Sequence, residues 1–263
     1  MATVNEIFSY FESIVPTNMK MEHDNPGFLV GDGNKNVHNI LLALDITDEV
    51  IEEAISINAD LIIAHHPLFF SISNATTDTL IGRKIVSMLT HGIAAICLHT
   101  NLDVATDGVN DALMKKLGAD TIGILETHGT YKDGTKYGIG RVGTVKKTSL
   151  DEFLKHCKDV LKCNGLRYVS GGKTVHKIAV CGGSGSSMLH NVAKLGCDTY
   201  ITADVKHNGF LDAKELGINL IDAGHYSTEN VVIPVLQNLL AAAFPEIDTR
   251  ISLVHTQPEQ FYM

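Results

Sequence analysis

The chain has 263 residues, 44% of them hydrophobic and 19% charged, with a net charge of −9 counting His as neutral. This is ordinary globular composition, and the length suits one large domain or two small ones, either able to bury a sizeable core. The acidic balance, with Arg83-Lys84, Lys115-Lys116 and Lys146-Lys147 as isolated tight basic pairs, argues against a broad basic face for nucleic acid, and the absence of Trp removes support for a single-strand stacking platform.

The N-terminal run MATVNEIFSYFESIVP carries acids and polar residues where a signal peptide needs a basic start and an apolar middle. Residues 3–15 have helical spacing (Val4, Ile7, Phe8, Phe11, Ile14) up to Pro16. DNPGFLVGD at 24–32 reads as a turn into a short strand, NILLALD at 39–45 as a buried strand, and 48–57 as a helix capped by Thr47. ADLIIAHHP at 59–67 is a strand ending in two histidines and a proline. A helix near 79–90, strand IAAICLH at 93–99 running into TNLD, and a helix over 106–117 come next. This alternation predicts βαβ units with at least partly parallel pairing.

The second half opens on a Gly-rich antiparallel segment, TKYGIGRVGTV at 135–145, and a helix over 149–161. Strand and glycine loop HKIAVCGGSG at 176–185 lead to a helix near 186–195, strand CDTYITAD at 197–204 and a helix near 207–215. Strand INLIDAGH at 218–225 and a helix from about 227 to 243, with Pro234 inside it, complete the reading. GGSG is compatible with an anion nest or with a plain strand-to-helix turn. No stretch approaches the 18 or more apolar residues of a membrane span. The five cysteines include no CxxC pair, and Cys97 and Cys181 sit in apolar runs. A cytoplasmic protein with no membrane partner is expected.

The halves repeat. A shift of 138 positions carries residues 38–66 onto 176–204 without a gap, laying HNI on HKI and strand LIIA on TYIT. The expectation is an α/β fold of two similar, interlinked domains with mixed sheets, residues 1–125 and 126–263, the last helix packing on the first domain.

Three strand ends collect His and acid: His65-His66-Pro67, His99-Thr100-Asn101-Leu102-Asp103, and His225-Tyr226-Ser227-Thr228-Glu229. Ligands of open α/β sheets bind beyond strand carboxyl ends, and imidazole with carboxylate is the donor set of Zn, Mn or Fe. Adjacent histidines in an extended chain point apart, so His65 and His66 serve two metals, or one if the backbone twists at Pro67. His225 and Glu229, four apart, share a face if the helix has begun. Asp103 or Glu229 can bridge two cations.

DNPGFLVGD, HHPLFF, HTNLD, GGSG, YITADVKH and GHYSTE, in this order along nearly the whole chain, resemble the GTP cyclohydrolase I type two family, also called Nif-three-like. The resemblance implies a dinuclear centre between the domains with five ligands: His65, His66, Asp103, His225 and Glu229. It implies a ring-shaped homohexamer, and the length matches the short form that lacks a central insertion. The chain departs from the family pattern at Ala203 and Asn208, where Gly and a second His are frequent. The implied activity is a dinuclear metal-dependent hydrolase acting on a purine nucleotide or related small molecule. The competing readings are a metal-dependent phosphoesterase and a non-catalytic metal-binding or regulatory protein.

Overall fold

The computed structural model describes residues 2–262. Along the chain the elements are α1 (Val4–Ile14), β1 (Gly27–Val30), β2 (Asn39–Ala43), α2 (Asp48–Ser56), β3 (Leu61–Ala64), α3 (Leu80–Thr90), β4 (Ala94–Cys97) and α4 (Thr100–Val104). Then come α5 (Val109–Lys116), β5 (Asp120–Thr130), β6 (Lys136–Thr148), α6 (Leu150–Leu161), β7 (Arg167–Val169), β8 (Val175–Ser184), α7 (Leu189–Lys194), β9 (Thr199–Ala203) and α8 (His207–Glu215). β10 (Asn219–Asp222), α9 (His225–Glu229), α10 (Ile233–Ala243) and β11 (Asp248–Ile251) finish it. No helix among the described residues is long and apolar enough to cross a membrane.

Two compact units form, Met1–Leu102 with Ile233–Thr256, and Asp103–Val232 with Gln257–Met263. In the first, a five-stranded mixed sheet runs β1-β4-β3-β2-β11, with β2, β3, β4 and β11 parallel and β1 antiparallel on β4. Helices start where the sequence supplies caps: Thr3 with Glu6 builds a capping box on α1, and the Thr47 hydroxyl accepts from Val50 N–H at the head of α2. Each satisfies backbone donors that the first turn leaves over. Val50, Ile51 and Ala54 of α2 and Ile85 and Met88 of α3 bury against Leu41, Ile62 and Ala95 of the strands.

The second unit has six strands in the order β5-β6-β8-β9-β10-β7, with β8, β9 and β10 parallel and the remaining pairings antiparallel. The repeat in the sequence is visible as register. Ile40 faces Leu61 and Leu41 faces Ile62; 138 residues on, Ile178 faces Thr199 and Ala179 faces Tyr200. The same shift carries Asp60, which accepts from the amides of His38 and Asn39, onto Asp198, which accepts from those of His176 and Lys177. β1 and β7 close the equivalent edges antiparallel.

Three expectations change. The chain enters the second unit at Asp103, ahead of the expected boundary at 125, because α5 and β5 join it: β5 pairs with β6 along most of its length. β5 itself is absent from the sequence reading, since its residues are largely exposed and lack an apolar face. The helix expected over 227–243 is three pieces, α9, a 3-10 turn at Asn230–Val232, and α10. Pro234 explains the break: it has no N–H to give and is tolerated only in a first turn, where it stands in α10.

All five cysteines are free and buried. Burial pushes the Cys97 thiol up to about 12 and the Cys197 thiol up to about 11. They are core side chains rather than nucleophiles.

Candidate metal centre

β3 is buried at every position and delivers His65 and His66 at its carboxyl end. His65 is fully buried, and the His66 amide continues the pairing by donating to the Leu44 carbonyl at 2.9 Å. The two rings lie 5.0 Å apart, tilted by 50°. His99, at the end of neighbouring β4, brings a third ring to 5.3 Å and 5.4 Å from them. One ligand nitrogen from each of the three lies within 4.8 Å of the others.

Each ring is held from behind through Nδ1. The Leu98 carbonyl accepts from His65 Nδ1 at 2.7 Å, Asp45 Oδ1 meets His66 Nδ1 at 2.7 Å, and Asp24 Oδ1 meets His99 Nδ1 at 2.7 Å. An acceptor at Nδ1 fixes the tautomer, placing the lone pair on Nε2, the atom a metal takes. The carboxylates are ionised. Burial pushes Asp24 up, but the hydrogen bonds of His99 and Thr100 outweigh it and hold the group well below the usual carboxylate range. For Asp45, burial is outweighed in the same way by His255 and then His66. The His255 Nε2 lies 2.8 Å from Asp45 Oδ2, so one carboxylate joins two imidazoles.

The second unit carries the other candidates. Gly224, at φ +84, turns the chain after β10, and α9 starts at His225 and ends at Glu229. The four-residue spacing sets His225 Nε2 2.9 Å from Glu229 Oε2. Asp204 Oδ2 meets His225 Nδ1 at 2.7 Å. Burial lowers the His225 pKa, but the hydrogen bond and charge of Glu229, and then those of Asp204, raise it to about 9. Asp103 and Glu229, 7% and 3% exposed, bring carboxylate oxygens within 4.8 Å of each other. Two carboxylates this close and this shielded repel strongly, and a cation between them removes that penalty. This set of imidazole and carboxylate donors could hold a metal ion.

GGSG is a steric solution rather than an anion nest. Its glycine amides are occupied: Gly182 N–H donates to Asn110 Oδ1, Gly183 N–H to Thr228 Oγ1 and Gly185 N–H to Thr202 Oγ1, each at 3.0 Å. Gly183 stands at φ +62, and a Cβ there would sit 2.1 Å from Glu229 Oε1. Only glycine lets the backbone pass beside that carboxylate. Asn110 also donates to the Asp103 carbonyl at 2.9 Å, tying that residue to the loop.

Sequence reasoning placed His99 in its motif but outside the five, and it missed Asp24, Asp45, Asp204 and His255. Asp24 and Asp204 lie inside DNPGFLVGD and YITADVKH, the signal that points to them; Asp45 ends a strand run, and nothing in the sequence marks His255. Loss of a carboxylate behind a ligating His typically costs ~10–100-fold in metal affinity. Asp45→Ala is expected to fall in that range when Zn²⁺ affinity is measured by chelator competition, and Asp48→Ala, a half-buried helix-start carboxylate paired with Arg83, to leave it unchanged.

The chain matches the DUF34/NIF3 (NGG1p interacting factor 3) family over residues 2–259. It is 37% identical over 262 residues to a GTP cyclohydrolase 1 type 2 homolog of Clostridium perfringens, covering 98% of this chain and 99% of that one. It is 36% identical over 257 residues to the homolog of Clostridium acetobutylicum, covering 97% and 95%. Among solved structures, Staphylococcus aureus protein SA1388 superposes with a TM-score of 0.89 at 30% identity, over 99% of each chain. Reduced HcgD from Methanocaldococcus jannaschii does so at 0.77 and 30%, over 95% of this chain and 97% of that one. On these matches and on the motifs above, this chain belongs to the DUF34/NIF3 family.

Proposed function

We propose that the chain binds two divalent metal ions through His65, His66, Asp103, His225 and Glu229 and uses them to hydrolyse a purine nucleotide or a related small molecule. The observation that supports this reading most is the backing of candidate ligands His66 and His225 by carboxylates and His65 by a carbonyl, an arrangement a structural histidine does not need. Bound divalent ions supply Lewis acidity and lower the pKa of water toward neutrality. The chain supplies orientation. Asp45 and Asp204 fix the rings of His66 and His225, and Gly183 leaves room for the Glu229 carboxylate. Asp24 holds the Nδ1 proton of His99, so Nε2 of that ring takes a proton from water or returns one to a leaving group. The nucleotide class comes from the naming of the relatives as GTP cyclohydrolase 1 type 2 homologs.

The test is metal-loaded protein incubated with a nucleotide panel. Formate release that disappears in His65→Ala supports the cyclohydrolase reading, and phosphate release with the same dependence turns it into a phosphoesterase. Retained metal with neither product leaves a non-catalytic metal-binding protein. We also propose a homohexamer, as the family resemblance implies. Light scattering is expected to report an assembly larger than a dimer, and a monomer at micromolar concentration contradicts it.

A further inference from the structure

Beside the His225–Glu229 pair, the second unit has a cavity of about 340 Å³ whose lining includes Ser184, Ser186, Ser187, His190, Lys206 and Asn208. It borders the candidate ligands on two sides. Ser184 directly follows Gly183, whose Cα passes beside Glu229, and Asp204, which holds His225 Nδ1, forms part of the wall.

We propose that this cavity binds the phosphate group of a small phosphorylated substrate, with the substrate's reacting end toward His225. This deepens the functional reading above and rests on it for the reaction, while the binding itself stands on the cavity alone. The chemistry of the wall selects the group. Lys206 makes no ion pair among the described residues and offers a compact point-charge phosphate binder. Three serine hydroxyls in one short loop can each donate to one acceptor, and a phosphate presents three such oxygens. The amides of Gly182, Gly183 and Gly185 are already committed, so the serine and lysine side chains carry the proposed binding.

The loop is also stiff. The buried Tyr200 hydroxyl donates to the Gly185 carbonyl at 2.6 Å, and Thr202 Oγ1 donates to the Gly183 carbonyl at 3.0 Å. Serines on a braced loop lose little freedom when they bind, which preserves affinity. The two acids in the wall set the rest of the substrate. Asp204 is taken by His225, while Asp212 is an acceptor suited to a hydroxyl or amine on the body of the molecule. A phosphate carried on a hydroxyl-bearing body, such as a sugar phosphate or a nucleotide, meets both demands.

The experiment is calorimetric titration of the protein as purified with inorganic pyrophosphate, AMP and adenosine, with metal content measured on the same samples. AMP and pyrophosphate are expected to bind, adenosine at least about tenfold more weakly than AMP, the scale of one lost charge-assisted contact. Lys206→Ala is expected to weaken AMP about tenfold at unchanged metal content, and Ser186→Ala with Ser187→Ala to weaken it further. Equal AMP affinity in Lys206→Ala and the parent overturns the proposal, as does failure of both phosphate-bearing probes to bind. Binding that vanishes on chelation yet ignores Lys206 also overturns it, because the metals alone then hold the phosphate. Lys206-dependent binding by protein that holds no metal keeps this site and removes the metal reading, so the two fail separately. Lys206 and Ser187 are exposed and Ser186 is half-buried, so the variants are expected to fold, and a thermal melt of each alongside the parent checks it.

Discussion

Glu229→Ala is expected to bring metal content down to that of chelator-treated protein. The Glu229 side chain is buried, lies 2.9 Å from His225 and shares its surroundings with the Asp103 carboxylate. It is a carboxylate whose two oxygens can each face a cation, which neutral imidazole cannot match. Removing it takes away negative charge where two divalent ions would repel each other, and the repulsion grows as water is excluded. Glu229→Gln sharpens the test, since it keeps the shape and one acceptor oxygen but not the charge. If Glu229 only braces α9 by a hydrogen bond, Gln substitutes for it and metal content stays. If it is a ligand, Gln loses metal nearly as Ala does. Glu215, an exposed residue at the end of α8, is the control: Glu215→Ala should stay within about 0.5 kcal/mol of the parent in stability and keep its metal.

Gly183→Ala carries the second large effect, and it acts without removing a donor atom. The new Cβ would lie 2.1 Å from Glu229 Oε1, so the carboxylate or the loop must move. The backbone at φ +62 adds the left-handed penalty of a side chain, roughly 1–2 kcal/mol. Overpacking in a braced site costs typically ~1–3 kcal/mol more. Gly118→Ala separates the two contributions, because Gly118 has φ +68 and nothing within 4 Å of its added Cβ. Thermal melts should show the conformational penalty alone in Gly118→Ala, with full metal content. Gly183→Ala should melt lower still and lose metal. Equal melting temperatures and equal metal in the two variants would mean that Glu229 does not depend on the close approach of Gly183.

Much of the candidate site was legible as a set of positions because strand ends announce themselves. LIIA before His65-His66 and AAIC before His99 are short apolar runs that suit buried strands, and the residues directly after such runs land at a sheet's carboxyl edge. The repeat was legible for the same reason: the same pattern of buried positions forces the same register in both units. The carboxylates behind the rings were not legible. Asp24 and His99 are 75 residues apart, and Asp45 and His255 are 210 apart, so only the folded chain introduces them. β5 escaped because an exposed strand pairing along one edge needs no apolar alternation. The units divide at Asp103 rather than near 125 because α5 packs on β8 and β6.

The proposed dinuclear metal centre is tested most directly by elemental analysis of protein purified without chelator, in the parent and in Glu229→Ala. About two divalent ions per chain are expected in the parent, as a two-metal site requires, and near none in the variant. A parent with no stoichiometric metal, or a variant that retains the parent's content, would contradict it.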